Sequence, residues 1–287
     1  MSHKWIQLLL VLAALAALLL GCGDNSEEAE RRKSASADAS LHLWCFQAGK
    51  ADAFLLWNDA GAILIDTGES GYGKTILTKL SELGIRRLNA LILTHFDKDH
   101  VGGAKKILNE IPVERVLQSN CPKPGAEAYE NYLQALTSQR MEPTTVREPM
   151  ELSLGSATLR IDPPAEECYP EDESNNSSLV VTVCCGEQRM LFCGDAEALR
   201  LQELLARQPG HCELLKLPHH GRYQELLEEL LTQTQPRYAV ITSSEAEPED
   251  AETMELLAEH GVEALLTRNG AFEIVGDGKS LQVFGVE

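Results

Sequence analysis

The sequence predicts an α/β fold, in which helices cover sheets built from short apolar strands. Apolar runs of strand length alternate with segments whose apolar residues recur at helical spacing, in both halves of the 287-residue chain. Several of these apolar runs end in short polar turns that contain Asp, His and Gly. This pattern is typical of strands that end in loops carrying ligands or catalytic groups.

The amino-terminal segment has the pattern of a bacterial lipoprotein leader. Lys4 is the only Lys, Arg, Asp or Glu in residues 1–21, and the apolar run from 6 to 20 is short for a membrane span. The segment Leu19-Leu20-Gly21-Cys22 resembles a lipobox, in which Cys22 is lipidated and becomes the first mature residue. An uncleaved anchor and a freely secreted protein stay open as alternatives. The predicted location is extracytoplasmic, lipid-anchored to a bacterial membrane.

Residues 22–40 are predicted to form a flexible tether, because they are polar and too poor in apolar residues to bury a core. Residues 41–287 have the length of one large domain. The chain contains 44 Asp and Glu against 25 Lys and Arg, and its formal net charge is −19. This charge repels polyanions at long range, so it argues against a general nucleic-acid binder.

The first half of the domain is predicted to alternate strands and helices. The predicted strands are 41–46, 53–57, 62–65, 90–93 and 113–117, followed by short ones at 144–146 and 158–161. The predicted helices are 74–83, a helix after Gly103, and 126–140.

The second half begins with a predicted loop over 163–177, which is rich in Pro, Glu, Asp, Ser and Asn. The strands predicted after it are 179–184, 189–192, 212–216, 238–241, 264–266, 271–275 and 281–284. Helices are predicted at 223–231 and 251–259.

Seven of the eight cysteines lie beyond Cys22, and no disulfide pair is assignable from their spacing. Cys184 and Cys185 are adjacent in a predicted strand, so their side chains are expected on opposite faces. Because the sequence contains no CxxC spacing, we interpret both as core residues rather than as metal ligands.

The richest motif is the stretch from Leu91 to Gly103. An apolar strand is followed within a few residues by His95, Asp97, Asp99 and His100, and the residues after Gly103 have helical spacing. Two imidazoles and two carboxylates on one loop suit one or two divalent ions such as zinc or manganese. The alternative is a solvated acidic turn with incidental histidines.

Two later strands end in similar turns. Residues 190–195 lead to Gly194 and Asp195, and the glycine permits a sharp turn that projects the aspartate. Residues 214–221 lead to His219 and His220. We predict that His219 is a metal ligand. We predict that His220 either supports the metal ligands from outside the coordination sphere or faces the substrate.

A fourth strand, residues 63–65, delivers Asp66 before Thr67 and Gly68. A carboxylate at this position suits an anchor that accepts a hydrogen bond from a metal-bound histidine. An Asx-type turn is the alternative interpretation.

Taken together and in this order, the motifs resemble those of metallo-β-lactamase-fold hydrolases. They are most similar to the family of the carboxy-terminal hydrolase domain of ComEC/Rec2 competence proteins, over residues 41–286. The matching segments are 48–53, which is less well kept, 64–68, 95–100, 176–180, 194–195 and 219–221.

The resemblance implies a four-layer αββα sandwich with metals at one edge between two sheets. By the family's roles, one metal would be held by His95 and Asp97, a second by Asp99, His100 and His219, and Asp195 would bridge them. A histidine that the superfamily carries before the Gly-Asp motif is absent, and Asn or Ser residues at 175–178 occupy its region. The first metal position would therefore be short of strong ligands.

The predicted activity follows from the chemistry of a bound zinc or manganese. Such an ion lowers the pKa of water towards neutrality, and the resulting hydroxide attacks phosphorus or a carbonyl carbon. We predict Asp99 and His220 as catalytic residues: turnover requires Asp99, and His220 would donate a proton or hold phosphate. Lys216 is an alternative for either of these two roles.

The predicted function is a surface-tethered metal-dependent hydrolase that cleaves phosphodiester bonds, with DNA or a small nucleotide as the substrate. Choline-phosphate esters stay open, and lactones or β-lactams are a less favoured bond class. The alternative from another class is a non-enzymatic lipoprotein that binds a partner through a decayed metal site.

Overall fold

The computed structural model of the protein describes residues 40–169 and 173–285. The predicted leader, the lipidation site Cys22 and the tether lie outside the described residues, except for Ser40 at the end of the tether. Within the described ranges, no helix combines the length and the apolar character that crossing a membrane requires.

The described chain forms two β-sheets. The strands of the first sheet are β1 (Leu41–Cys45), β2 (Phe54–Asn58), β3 (Gly61–Ile65), β4 (Ala90–Leu93), β5 (Val116–Gln118), β6 (Thr144–Thr145), β14 (Phe272–Gly276) and β15 (Leu281–Gly285). They lie in the order β15-β14-β1-β2-β3-β4-β5-β6.

The strands of the second sheet are β7 (Met150–Leu154), β8 (Ala157–Asp162), β9 (Val180–Cys185), β10 (Gln188–Phe192), β11 (Leu214–Lys216), β12 (Tyr238–Ile241) and β13 (Glu263–Leu266). They lie in the order β13-β12-β11-β10-β9-β8-β7. Strands β3 to β6 run parallel to one another, as do strands β10 to β13.

Helices cover the outer faces of both sheets. They are α1 (Gly73–Glu82), α2 (Lys98–Val101), α3 (Ala104–Glu110), α4 (Glu127–Gln139), α5 (Glu173–Asn176), α6 (Ala198–Ala206), α7 (Leu227–Thr234) and α8 (Ala251–Glu259). Short 3-10 turns occur at Pro218–Gly221 and Thr267–Asn269.

Three apolar layers hold the fold together. The central layer lies between the sheets and joins residues such as Leu56 and Ile92 of the first to Phe192 of the second. The first sheet buries its outer face under α1, α3 and α4, and the second buries its outer face under α6, α7 and α8. The predicted α/β class and αββα sandwich are therefore confirmed.

Most predicted elements are present, and the differences have local causes. Strand β7 was not predicted, because only Leu152 and Leu154 of its five residues are buried apolar side chains. Helix α6 was missed because Arg200 interrupts the apolar pattern, although its side chain is buried. Helix α5 lies within the predicted loop, and α7 begins at Leu227 rather than 223.

The structure also assigns the cysteines that the sequence left open. Cys121 and Cys168 form a disulfide across 47 positions of sequence. Cys184 and Cys185 point to opposite faces of β9, as predicted. Cys185 is buried, but the interpretation of Cys184 as a core residue is wrong, because its side chain is exposed.

Candidate metal centre

The candidate centre lies where the carboxyl ends of parallel strands from both sheets meet. Asp66 follows β3, His95 follows β4, Asp195 follows β10, and His219 and His220 follow β11. In α/β folds the carboxyl ends of parallel strands are the usual place for a site. The fold therefore brings four separate sequence motifs to one edge.

Four side chains form the middle of the centre: Asp99, His100, Asp195 and His220, called the Asp99 cluster below. One ligand atom from each lies within 4.8 Å of the others. Nε2 of His220 is 3.0 Å from Asp195 Oδ2 and 3.4 Å from Asp99 Oδ2, and Nε2 of His100 is 3.2 Å from Asp195 Oδ1. The Asp99 side chain is 19% exposed and the other three are buried, so the cluster opens to solvent at Asp99.

Three buried ring nitrogens at this edge have no hydrogen-bond partner. They are the Nε2 atoms of His95, His100 and His220. The Asp195 oxygens are near two of them, but the angles do not make hydrogen bonds. Each unpaired buried polar atom costs about 1–3 kcal/mol, which a bound cation would offset. Imidazole nitrogens and carboxylates together fit a divalent ion such as zinc or manganese.

Asp66 fixes the ring of His100. Its Oδ2 lies 2.8 Å from His100 Nδ1, and it also accepts hydrogen bonds from the backbone N and side-chain Oγ1 of Thr94, at 2.8 and 2.7 Å. A carboxylate facing Nδ1 keeps the proton there and leaves the Nε2 lone pair to face the Asp99 cluster. Asp66 has a φ of 55°, a strained conformation typical of functional positions.

His220 is held in the same way by a different pair. Its Nδ1 lies 2.8 Å from Thr242 Oγ1, and Thr242 in turn donates to Asp52 Oδ1 at 2.6 Å. Because the threonine hydroxyl donates to Asp52, it accepts the proton on Nδ1 of His220. The Nε2 lone pair of His220 then faces Asp99 and Asp195.

The side chain of His219 lies outside the Asp99 cluster. Its Nδ1 lies 2.6 Å from Glu197 Oε1, and its side chain is not part of the Asp99 cluster. His219 and His220 have successive positive φ angles of 44° and 55°, which turns their side chains apart. The sequence favoured His219 as the ligand, whereas the structure places His220 among the carboxylates.

His95 and Asp97, the ligands predicted for the first metal, lie outside the Asp99 cluster. His95 stacks against His100 with ring centroids 4.0 Å apart, and its Nδ1 lies 3.4 Å from Ser178 Oγ. Asp97 accepts hydrogen bonds from Lys123 and Ser174 at one oxygen. Among the described residues, neither His95 nor Asp97 belongs to a group of three or more ligand atoms within 4.8 Å.

Sequence reasoning missed a buried ion pair beside the Asp99 cluster. Lys216 Nζ lies 2.5 Å from Asp52 Oδ2, 2.9 Å from the carbonyl oxygen of Gly194 and 3.5 Å from Asp195 Oδ1. Lys216 has no exposed surface, so the interpretation of this lysine as a phosphate clamp is wrong. The one sequence signal for Asp52 was the weakly matched segment 48–53.

The charges in the centre oppose one another in pairs. Burial favours the neutral form of Asp195, but the positive charges of His220, His100 and Lys216 outweigh it and hold the pKa of this carboxyl well below its usual value. Burial likewise opposes the charged form of His220, but the negative charge of Asp195 raises its pKa to about 10. Protons and a divalent ion therefore compete for the same ring nitrogens.

His95 differs from the other two histidines in charge. Burial, and then the positive charge of His100, lower the pKa of His95 to about 3. For His100 burial acts in the same direction, but Asp195, Asp66 and Asp52 raise its pKa well above the usual value. The lowered pKa keeps His95 neutral at pH 7.

A pocket of about 620 Å³ lies beside His219. The side chains that line it include Glu197, Arg222, Tyr223, Glu225 and Asp250. Tyr223 is 48% exposed. The wall thus combines one exposed aromatic ring and one guanidinium with three carboxyl groups.

Comparison with known proteins assigns the family. Residues 47–243 match the metallo-β-lactamase superfamily. The chain belongs to this superfamily. The superfamily is generally hydrolytic, and this member carries a cluster of side chains of metal-binding types at the edge between its sheets.

The relatives of this metallo-β-lactamase superfamily member include competence proteins, as the sequence predicted. ComE operon protein 3 of Bacillus subtilis is 29% identical over 236 residues, which are 74% of this chain and 30% of that protein. Recombination protein 2 of Haemophilus influenzae is 32% identical over 205 residues, which are 70% of this chain and 24% of that protein. The chain thus spans about a quarter to a third of the length of these relatives.

Solved structures agree on the fold. The metallo-β-lactamase fold protein YhfI from Bacillus subtilis aligns with a TM-score of 0.56 at 11% identity, over 82% of this chain and all of that one. CmlA, a diiron β-hydroxylase from Streptomyces venezuelae, aligns with a TM-score of 0.54 at 15% identity, over 88% of this chain and 55% of that one. At these identities the likeness establishes the architecture alone.

Proposed function

We propose that this protein is a metal-dependent hydrolase of phosphodiester bonds, tethered by an amino-terminal lipid to the outer side of a bacterial membrane. The observation that carries the catalytic part is the convergence of unpaired Nε2 atoms and carboxylates at one partly open edge. The tether rests on the leader pattern that ends at Cys22.

The Asp99 cluster would hold the ion, with Asp195 between His100 and His220. When bound, a divalent ion lowers the pKa of water and draws electron density from a phosphoryl oxygen. The chain's own contribution is orientation: Asp66 holds the proton on Nδ1 of His100, and Thr242 with Asp52 does the same for His220. Asp99 is the exposed member, so it is the ligand that meets incoming substrate.

Two features favour phosphodiesters over other bonds. The Asp99 cluster is half carboxylate, and carboxylate-rich sites suit hard cations, which pair well with phosphate oxygens. Of the two relatives named above, one is by its name a recombination protein.

The pocket favours a small diester over a long nucleic acid. Its carboxyl groups and the net charge of −19 oppose a polyanion, while its volume accommodates one substituent of a small diester. Tyr223 offers a ring on which a base or another flat group would stack.

His219 is the residue that we propose to deliver a proton to the leaving oxygen. It lines the pocket, and Glu197 holds its Nδ1 at 2.6 Å. In the imidazolium form of His219, the proton on Nε2 is then the one free to pass to the leaving oxygen.

Hydrolysis of bis-p-nitrophenyl phosphate by the full chain in detergent tests this function. We expect chelation to abolish turnover and added manganese or zinc to restore it in the wild type but not in Asp99→Ala. A chromogenic β-lactam and a lactone serve as alternative substrates. Turnover of either, without turnover of the diester, would refute the phosphodiester assignment.

DNA is the second candidate substrate, and the relatives' names favour it. A linear duplex and a single strand, each compared with the small diester under the same metal conditions, separate the two. A higher kcat/KM for DNA would favour a nuclease. Metal binding without turnover of any substrate would favour a non-enzymatic binding protein.

A further inference from the structure

Asp97, which was predicted to bind the first metal, is paired with a lysine and lacks a complete set of metal ligands around it. Lys123 Nζ lies 2.5 Å from Asp97 Oδ1, and Ser174 Oγ donates to the same oxygen. An ammonium and a hydroxyl on Oδ1 satisfy the lone pairs of that oxygen, and the ammonium balances the charge of the carboxylate.

The remaining donors on this side are few. Ser178 stands between His95 and the Gly-Asp turn: its Oγ lies 3.4 Å from His95 Nδ1 and accepts a hydrogen bond from the backbone N of Asp195 at 3.1 Å. A neutral hydroxyl that is already engaged is a weak ligand compared with imidazole. Histidine 95 thus has an unpaired Nε2 but no complete ligand set around it among the described residues.

Lys123 is held in position by the chain around it. The disulfide between Cys121 and Cys168 ties the loop of Lys123 to a residue that precedes Ser174 by six positions in the sequence. Close by, Ser119 Oγ donates to the carbonyl oxygen of Ser177 at 2.7 Å in the protein interior. Both donors to Asp97 therefore come from segments that are cross-linked to each other.

Lys123 is also accessible. Its side chain is 42% exposed and that of Asp97 is 28% exposed, whereas Lys216 on the other side of the centre is fully buried. Of these two lysines, only Lys123 is therefore accessible to a substrate.

We propose that Lys123 takes the place of a second divalent ion. Its ammonium neutralises Asp97, limits the protein to one ion, held by the Asp99 cluster, and offers a fixed positive charge to the substrate phosphate. The proposal rests on the metal-dependent phosphodiesterase function proposed above.

The metal content of the full chain tests the first part without reference to activity. After dialysis against zinc or manganese and removal of free metal, elemental analysis should give one ion per wild-type chain and two per Lys123→Met chain. Lys123→Arg, which keeps the charge, should bind one. Lys106→Met is the matched control, because Lys106 is an exposed lysine paired with Glu110 at 2.9 Å on α3, and it should also bind one.

Two ions in the wild type, or one in Lys123→Met, would overturn the proposal. An absence of bound metal in the wild type would refute the metal centre itself, and with it the function proposed above. The two failures are therefore distinguishable in the same measurement.

Kinetics with one equivalent of metal test the second part. Loss of a charge-assisted hydrogen bond to phosphate should raise the KM of Lys123→Met for the diester roughly tenfold, with kcat little changed. Lys123→Arg should restore the wild-type KM. An unchanged KM in Lys123→Met would show that the ammonium does not meet the substrate.

Discussion

Asp97 and Asp99 are two residues apart in one loop, yet their surroundings differ in kind. Asp99 meets two unpaired imidazole nitrogens and another carboxylate, whereas Asp97 meets an ammonium and a hydroxyl. The difference arises from long-range contacts: His220 comes to Asp99 from the second sheet, and Lys123 comes to Asp97 from the loop after β5. The same residue type in the same motif therefore has two different roles, set by its partners.

The largest effect should separate these two aspartates. We expect Asp99→Ala to lose the bound ion and to lower diester turnover at least about 1,000-fold, because it removes the ligand that opens to substrate. Asp97→Ala should keep one ion and lose only about tenfold, since it removes the partner of Lys123. Elemental analysis and kcat measured on the same samples check this, and equal losses in both variants would break the comparison.

The adjacent histidines give the next effect. His220→Ala should lose metal and activity together. His219→Gln should keep the metal and lower kcat about 100-fold, as expected for removal of a general acid. His260→Gln is the control, because His260 is exposed at the end of α8 and should change neither quantity. Metal loss in His219→Gln with retention in His220→Ala would reverse the assignment.

The carboxylate behind His100 should have a smaller effect. Asp66→Asn keeps the shape of the side chain but weakens its hold on His100 Nδ1, so metal affinity should fall about 10–100-fold. Activity should recover at saturating metal, because Asp66 contacts no substrate. Competition with a chromogenic chelator measures the affinity. A kcat that stays low at saturation would mean that Asp66 acts beyond orientation.

The smallest effect concerns pH. Because the pKa of His220 is raised to about 10 and that of His100 also lies above its usual value, both carry a proton at neutral pH when no cation is bound to them. Metal binding must displace these protons, so affinity should rise with pH by about tenfold per unit for each proton released. Calorimetry in two buffers of different ionisation enthalpy counts the protons, and a release of none would contradict the charges described here.

The sequence predicted the parts of this molecule that are local. Strands β4 and β12 and helix α8 have the predicted bounds, because each combines a clear apolar pattern with clear flanking residues. The turns that carry His95 to His100, Asp195 and the two histidines were also evident. Each is a polar group that directly follows an apolar strand.

The parts that escaped prediction depend on distant contacts. Thr242 and Asp52, which orient His220, are 190 positions apart, and the disulfide joins cysteines with no diagnostic spacing. The choice between His219 and His220 follows from two consecutive positive φ angles, and a histidine in the sequence does not predict a positive φ angle. Lys123 lies in a loop with no motif of its own.

The position of the bound ion tests the account most directly. Crystals of the full chain or of its folded part, grown with manganese or zinc, would show the ion in an anomalous difference map. We expect one peak per chain, about 2.0–2.2 Å from Nε2 of His100 and His220 and in contact with Asp195 and Asp99. A peak coordinated by His219, or a second full-occupancy peak at Asp97, would contradict it.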